Sequence, residues 1–452
     1  AEAAAWADSV LAAAAYVPAG ADERTRRLDA VLLHPVAGGA IFLAVMFAFF
    51  QVIFTLAAPL QGLIERGFGW LGDLAAHHLP GGWLADFVGT ALIGGVGGVI
   101  VFLPQIALLF LMISLLEGVG YMSRAAFIMD RFMSRFGLEG RAFVSLLSSV
   151  ACAIPGIMAT RTLPSARDRL ATMMAAPLMT CSARLPVFVL LVSMFVPASA
   201  RVGPFGAQGS VLFGLYLLGA VSALLTAALF KKVGGRTGQA LPFYMELPPY
   251  RVPRLRGVVF AVWDACKSFL RKVTHIILAA TIVLFLLLNL PVRGSAELQQ
   301  AGVDPGDERA VAAYVIDHSL AADVGRAVSP VFAPLGFDWR INVGVLSSLA
   351  AREVFVATMG QVGAATNPES PRTELSRMRV EEGSRAGQLL FTRETIAALL
   401  IFFVYALQCI STIGVLRRES GSWRWPLIGF GYMFTLAWLM AFLARTVVGA
   451  LG

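Results

Sequence analysis

Residues 142–160 read Ala142-Phe143-Val144-Ser145-Leu146-Leu147-Ser148-Ser149-Val150-Ala151-Cys152-Ala153-Ile154-Pro155-Gly156-Ile157-Met158-Ala159-Thr160. The stretch carries no Asp, Glu, Lys or Arg and is about as long as the ~20 residues that a helix needs to cross a bilayer. Proline followed by glycine nevertheless predicts a helix broken halfway. A second stretch, 341–365, is equally apolar except for the adjacent pair Arg352-Glu353, which a lipid-facing helix would not tolerate. Both read as parts of longer segments, 142–184 and 341–394, that enter the membrane and return to the side they came from.

The rest of the chain fits that setting. Of its 452 residues, 58% are hydrophobic and 14% charged, and the mean hydropathy is +0.74. Soluble domains carry about 25% charged residues. The composition excludes a soluble enzyme, a disordered chain and a nucleic-acid binder. The net charge of +8 comes from basic residues set between long apolar stretches, as in proteins whose orientation is fixed by positive charge. Four cysteines without paired spacing make no disulfide framework. No phosphate-binding loop, H-E-x-x-H or C-x-x-C motif is present, so the sequence predicts no enzyme activity of its own.

Further uncharged stretches run 36–60, 87–116, 185–200, 210–230, 273–290, 395–416 and 425–444. The 231–272 connection holds nine Lys and Arg against two acids and is expected in the cytoplasm, with 117–141 and the 417–424 turn. The acidic 291–340 segment and 61–86 are expected outside. Segment 366–394, with five arginines and five acids, is compatible with either side. These assignments agree if 87–116 runs inward, a re-entrant segment follows, 185–200 runs outward and 210–230 inward. The later part then repeats the order in the opposite sense.

The residues echo this pairing. Leu147-Ser148-Ser149-Val150-Ala151-Cys152 aligns with Leu346-Ser347-Ser348-Leu349-Ala350-Ala351, and Thr180-Cys181-Ser182 with Gln408-Cys409-Ile410. The predicted fold is an all-α polytopic membrane protein: an inverted repeat of gate-type helical units with two broken, re-entrant helices. Its parts are a first transmembrane helix at 36–60, one repeat at 87–230, the basic connection at 231–272 and a second repeat at 273–444. Inverted repeats with broken helices place a substrate site near mid-membrane, where unpaired backbone groups line a cavity rather than face lipid.

Cys152, Cys181 and Cys409 fall in or beside these breaks, and thiolate sulfur suits a transition metal. Each cysteine taken singly also reads as a small packing residue. Glu353 is either a functional intramembrane acid or half of a structural pair with Arg352. Met158 could add a thioether or simply fill space, and Ser148, Ser149, Ser347 and Ser348 could ligate weakly or pack. Cys266 reads as structural, and the His77-His78 pair as incidental. Arg161, Arg167, Asp168, Arg169 and Arg184 are expected to anchor the first broken segment at the cytoplasmic face.

Several colinear motifs resemble the membrane region of the bacterial FeoB ferrous-iron transporters. They include Leu116-Glu117-Gly118-Val119-Gly120-Tyr121-Met122-Ser123-Arg124, the stretch from Gly137 through Arg161, Ala176-Pro177-Leu178-Met179-Thr180-Cys181-Ser182-Ala183-Arg184 and Phe332-Ala333-Pro334-Leu335-Gly336-Phe337-Asp338-Trp339. Residues 417–423 and Leu32-Leu33-His34-Pro35 extend the resemblance over nearly the whole chain. It implies Fe(II) import across the bacterial inner membrane through two gate repeats, with Cys152 and Cys181 in the first gate motif and Cys409 in the second. With Glu353 and Met158 these form the expected metal-binding set, and Fe(II) is the transported substrate rather than a resident cofactor. Gln408 stands where many relatives have proline, so the second break is expected to be less sharp.

The family also implies an N-terminal GTPase domain, which the chain is expected to lack; residues 1–35 then read as a cytoplasmic linker, and GTP acts only through that domain. Other implied partners are the lipid bilayer, a small SH3-like accessory protein and further copies of the chain; nucleic acid is not among them. Two rival readings stand beside iron import. One is a nucleoside-type transporter, with aromatic and amide residues at mid-membrane; the other is a membrane scaffold or receptor that transports nothing.

Overall fold

The computed structural model describes residues 23–34, 36–78, 87–197, 200–202, 205–233, 249–290, 317–349, 375–380, 385–407 and 409–451, with shorter pieces at 6, 10, 85, 311, 314–315, 352, 354–356 and 358–360. Most of the 1–35 stretch, much of the 231–272 connection, the start of the 291–340 segment, Gln408 and Glu353 lie outside them.

Helix α1 (Glu23–Leu32) meets α2 (Ala37–His78) at 91°. The His34 imidazole accepts hydrogen bonds from the Val36 and Ala37 amides and so satisfies two donors that the start of α2 would leave open. Helix α2 does not stop at residue 60. Its 42 residues rise ~63 Å, more than the ~30 Å hydrocarbon core needs. The 61–78 part of the expected outer segment is therefore a continuation of the first span.

A π-helical turn (Phe87–Ile93) leads through α3 (Gly94–Ile100) into α4 (Leu103–Val119), which Gly120 ends at φ 89°. Then come α5 (Tyr121–Met133), α6 (Gly140–Ala151) and α7 (Ala153–Ala159). Helices α8 (Ala166–Ala175) and α9 (Leu185–Phe195) follow. The two-residue strands β1 (Arg201–Val202) and β2 (Phe205–Gly206) form an antiparallel hairpin before α10 (Ala207–Val233). The second half holds α11 (Leu255–Asn289), α12 (Leu320–Ala327), α13 (Ser329–Phe332) and α14 (Trp339–Ser347). It ends in α15 (Arg393–Tyr405), α16 (Ile410–Ser420) and α17 (Arg424–Leu451).

The protein is an all-α polytopic membrane protein. Among the described residues five helical stretches are long and apolar enough to cross: Phe87–Val119, Ala166–Phe195, Ala207–Lys232, Arg393–Ser420 and Arg424–Ala450. Helices α2, α10 and α17 expose Leu43, Phe47, Phe213, Leu225, Leu439 and Leu443, a surface suited to lipid rather than water. The core lies between α9, α10, α15 and α17, where Phe332, Phe337, Phe402 and Phe434 pack mostly edge to face.

Two ends can be told apart by their contacts. At one, Lys231 reaches the Gly137 carbonyl and Asp168, and Arg161 and Arg169 reach Glu419. At the other, Arg445 donates to the Ala333 and Pro334 carbonyls, and Arg385 to Gly336. Residues 385–392 and the end of α17 thus share an end with 333–338, opposite the 417–424 turn. Helix α8 begins beside Glu419, whereas α16 finishes there. The two broken spans run in opposite directions, as an inverted repeat requires.

Candidate functional site

Both broken spans open with a side-chain cap. Ser165 accepts from the Asp168 amide at the start of α8, and Thr392 from the Thr395 amide at the start of α15. Each then loses its helix near the middle. The first breaks between Met179 and Cys181, with Cys181 extended at φ −87°, ψ 164°. The second breaks from Ala406 to Cys409, and Cys409 is fully extended at φ −159°, ψ 103°. Residues on both sides of Gln408 have left the helix, so the second span is interrupted there, while Gln408 itself lies outside the described residues.

The third interruption lies between α6 and α7, and here the sequence reading needs correction. The chain breaks at Cys152, extended at φ −158°, ψ 133°, not at Pro155-Gly156. Proline at the third position of α7 gives up an amide that the first turn leaves unpaired in any case, so the helix tolerates it. Gly156 serves contact: a Cβ there would fall 1.8 Å from the Ser149 Oγ and 2.7 Å from the Ser145 carbonyl. The glycine lets α7 fold back against α6.

These breaks bring the three thiols into one neighbourhood. Cys152 lies within electrostatic range of Cys181, Cys409 and Arg352. The pieces are tied by corresponding bonds in the two halves: Ser182 Oγ donates to the Ala151 carbonyl at 3.0 Å, and the Ile410 amide donates to the Leu349 carbonyl at 3.2 Å. Cys181 Sγ accepts a hydrogen bond from Arg352 Nη1 at 3.0 Å. All three thiols are half-buried. Among the described residues, however, no three His, Cys, Asp or Glu side chains converge closely enough to hold a metal.

The other expected residues fall elsewhere. Met158 stands six residues beyond Cys152, about 9 Å along the helix axis, toward the Arg161–Glu419 end. The serines turn inward on their own helices: Ser148 donates to the Val144 carbonyl, Ser149 to Ser145, Ser347 to Gly344 and Ser348 to Val345. His77 and His78 bond back to the Asp73 and Leu74 carbonyls and are exposed.

Arg184 is not at the cytoplasmic face. It is fully buried beside the break, its guanidinium directed at the Pro177, Leu178 and Ala406 carbonyls at 3.2–3.5 Å. Arg352 is 5% exposed. The site therefore combines sulfur, backbone carbonyls and two buried cations.

An amide chain reaches the same place. Gln61 Nε2 on α2 donates to Gln105 Oε1 on α4 at 3.2 Å, and Gln105 Nε2 donates to Ser182 Oγ at 2.7 Å. From Ser182 the chain ends on the carbonyl just ahead of Cys152.

A family model described as Gate, nucleoside recognition, matches residues 99–195 and 270–423, more than half of the chain and both broken spans. The chain belongs to the Gate family. A second model, ferrous iron transport protein B C terminus, matches 212–264. The chain is 39% identical over 438 residues to a fusion of Fe(2+) transport protein A with the Fe(2+) transporter FeoB from Porphyromonas gingivalis. It is 38% identical over 421 residues to the Fe(2+) transporter FeoB of Leptospira interrogans, and 33% over 429 to that of Methanocaldococcus jannaschii. Each match covers 93–94% of this chain but only 51%, 59% and 59% of the respective relative. No solved structure matches.

The Gate matches frame the α6–α9 and α14–α16 units that carry the breaks. Of the residues that sequence reasoning missed, Gln61, Gln105 and Ser182 carried one usable signal: polar side chains inside otherwise apolar spans.

Proposed function

We propose that this Gate protein carries Fe(II) across the bacterial inner membrane, through a site built from Cys152, Cys181 and Cys409. The observation that carries the reading is that Cys152 lies within electrostatic range of Cys181 and Cys409, the three standing at three helix breaks of two oppositely directed halves. The printed names of its relatives point the same way.

The chemistry follows from the ligand types. Sulfur favours Fe(II) over Mg(II), which prefers oxygen and sheds water reluctantly. Carbonyls freed at the breaks can replace part of the ion's hydration shell. In this structure the thiols are neighbours without being assembled, so binding entails a small movement of one break against another. Met158 would join the site only in such a rearranged state, and Glu353, which lies outside the described residues, is proposed as a further ligand. The fusion relative supports an accessory protein as partner. A GTPase domain of the same protein would act by favouring one of the two arrangements.

The test is anaerobic iron uptake into proteoliposomes by the parent chain and by Cys152→Ser, Cys181→Ser and Cys409→Ser. Loss of flux in at least two variants of normal folding is expected; undiminished flux in all three removes the thiolate site. A nucleoside-type substrate is the second reading, favoured by the Gln61–Gln105 amide chain at the break. It predicts thiol-independent uptake of a labelled nucleoside.

A further inference from the structure

Arg352 occupies an unusual position for a cation. Its side chain is almost wholly withdrawn from solvent, yet Nη1 meets Cys181 Sγ at 3.0 Å and Nε is buried without a hydrogen-bond partner. A second cation, Arg184, is fully buried within electrostatic range of Arg352 and also has an unpartnered Nε. Among the described residues no carboxylate pairs with either guanidinium, and Arg184 is bonded to three backbone carbonyls and the Thr180 hydroxyl. Two buried cations beside each other raise each other's cost, and removing a guanidinium from water is expensive unless its donors are met. Arg352 is thus held at Cys181 by one sulfur contact and pushed by its neighbour.

A divalent cation on Cys181 would draw on the same sulfur that accepts this hydrogen bond. It also cannot share the pocket comfortably with a guanidinium 3.0 Å from the ligand sulfur.

We propose that Arg352 is a built-in competitor for the metal: its guanidinium covers Cys181 in the ion-free state, and a cation binds only by displacing it. The proposal rests on the reading of Cys181 as a ligand. It adds a specificity device to that reading. A hard ion such as Mg(II) gains too little from sulfur to evict the arginine, whereas a borderline-soft ion gains enough, so discrimination comes from the barrier as well as from the ligand. The stored repulsion also assists release, because the displaced guanidinium remains near the bound ion. Arg352 is a positioning residue in this scheme, since it acts through Cys181.

The test is an anaerobic Co(II) titration of the whole chain in detergent, read by the thiolate-to-cobalt charge-transfer absorption. Parent, Arg352→Gln, Arg352→Lys and Cys181→Ser are compared, and the alkylation rate of Cys181 is followed by mass spectrometry in ion-free protein. Arg352→Gln is expected to bind Co(II) about tenfold more tightly, the weight of one hydrogen bond from a charged donor, and to expose Cys181 to faster alkylation. Arg352→Lys, which keeps the charge but not the fork, is expected to lie between it and the parent, and carries the test if the glutamine variant does not fold. Damage to the fold alone would weaken binding, not tighten it. Charge-transfer absorption that depends on Cys181 but keeps the parent affinity in both Arg352 variants overturns the competitor. Absorption that is absent throughout, or indifferent to Cys181→Ser, overturns the ligand reading itself and the competitor with it.

Discussion

Arg161 forks onto Glu419, its Nε 2.7 Å from Oε2 and its Nη2 2.6 Å from Oε1. This single contact joins the end of α7, in the first half, to the end of α16, in the second. Arg169 and Arg418 approach the same carboxylate at 3.3 Å, so one buried acid gathers three cations where the two halves meet. The cluster closes the end of the molecule opposite Arg445, and any movement of the halves at that end must loosen it.

The three cations are unequal to the acid they share. Glu419 is buried, whereas Arg161 and Arg418 are about half exposed, so water replaces much of what either arginine loses. Arg161→Ala should cost about 1 kcal/mol, and Glu419→Ala more, on the order of 3 kcal/mol, because it leaves facing guanidiniums unpaired. Thermal unfolding in detergent measures both. Equal losses would mean that the cluster does not work through Glu419.

Close approach at Gly156 gives a second prediction. An added methyl meets both the Ser149 hydroxyl and the Ser145 carbonyl. Gly156→Ala should destabilise by ~1–3 kcal/mol, the usual range for overpacking. Ser149→Ala in the same chain should restore part of that, since it removes the hydroxyl but leaves the carbonyl in the way. Full rescue, or none, would place the clash elsewhere.

Glu139, at the start of α6, supplies a pH dependence. Burial, and then the neighbouring Asp168, hold its carboxyl above the ordinary value of 4.5. The folded chain therefore keeps this proton where the unfolded chain has lost it, and stability falls as pH rises from 4.5 through the raised value. Glu139→Gln removes the penalty. The variant should melt higher than the parent at neutral pH, by ~2 °C, and the gap should close below pH 4.5. A gap independent of pH would show that the change acts through packing.

How much of this was readable in the sequence depended on whether neighbours in the chain decide the outcome. An interruption within 142–160 was legible, because an apolar run carrying Pro-Gly has few alternatives in a membrane. The breaks at Cys181 and Cys409 were not: 185–200 and 395–416 read as simple spans, and the residues that precede the first of them carry charges that masked its continuation from α8. Opposite orientation was legible from where arginines cluster. The exact break was not: proline in the first turn of α7 reads the same as proline in a helix interior until Cys152 is seen to be extended. Arg184 was misplaced for a related reason. Its sequence neighbours resemble those of the anchoring arginines, but its burial is completed by the Ala406 carbonyl, 222 positions away. The length of α2 was hidden by Glu65 and Arg66, charges that suit a helix once it has left the hydrocarbon.

The amide chain from Gln61 through Gln105 and Ser182 to the Ala151 carbonyl gives the last prediction, and it concerns coupling. Cutting Ser182 frees the carbonyl ahead of Cys152, and cutting Gln105 removes the donor that orients the Ser182 hydroxyl onto that carbonyl. Residues that act through one chain are non-additive. Gln105→Ala and Ser182→Ala should each weaken anaerobic Co(II) binding by a few-fold, the effect of about 1 kcal/mol, and the double variant should be hardly weaker than either alone. If the two losses add, the residues act separately, and the polar line from α2 to the break has no part in holding the carbonyl. If neither change alters Co(II) binding while both slow uptake, the chain belongs to the ion's route and not to its binding site, because a path lined by amides changes rates without changing the depth of the well at the thiols.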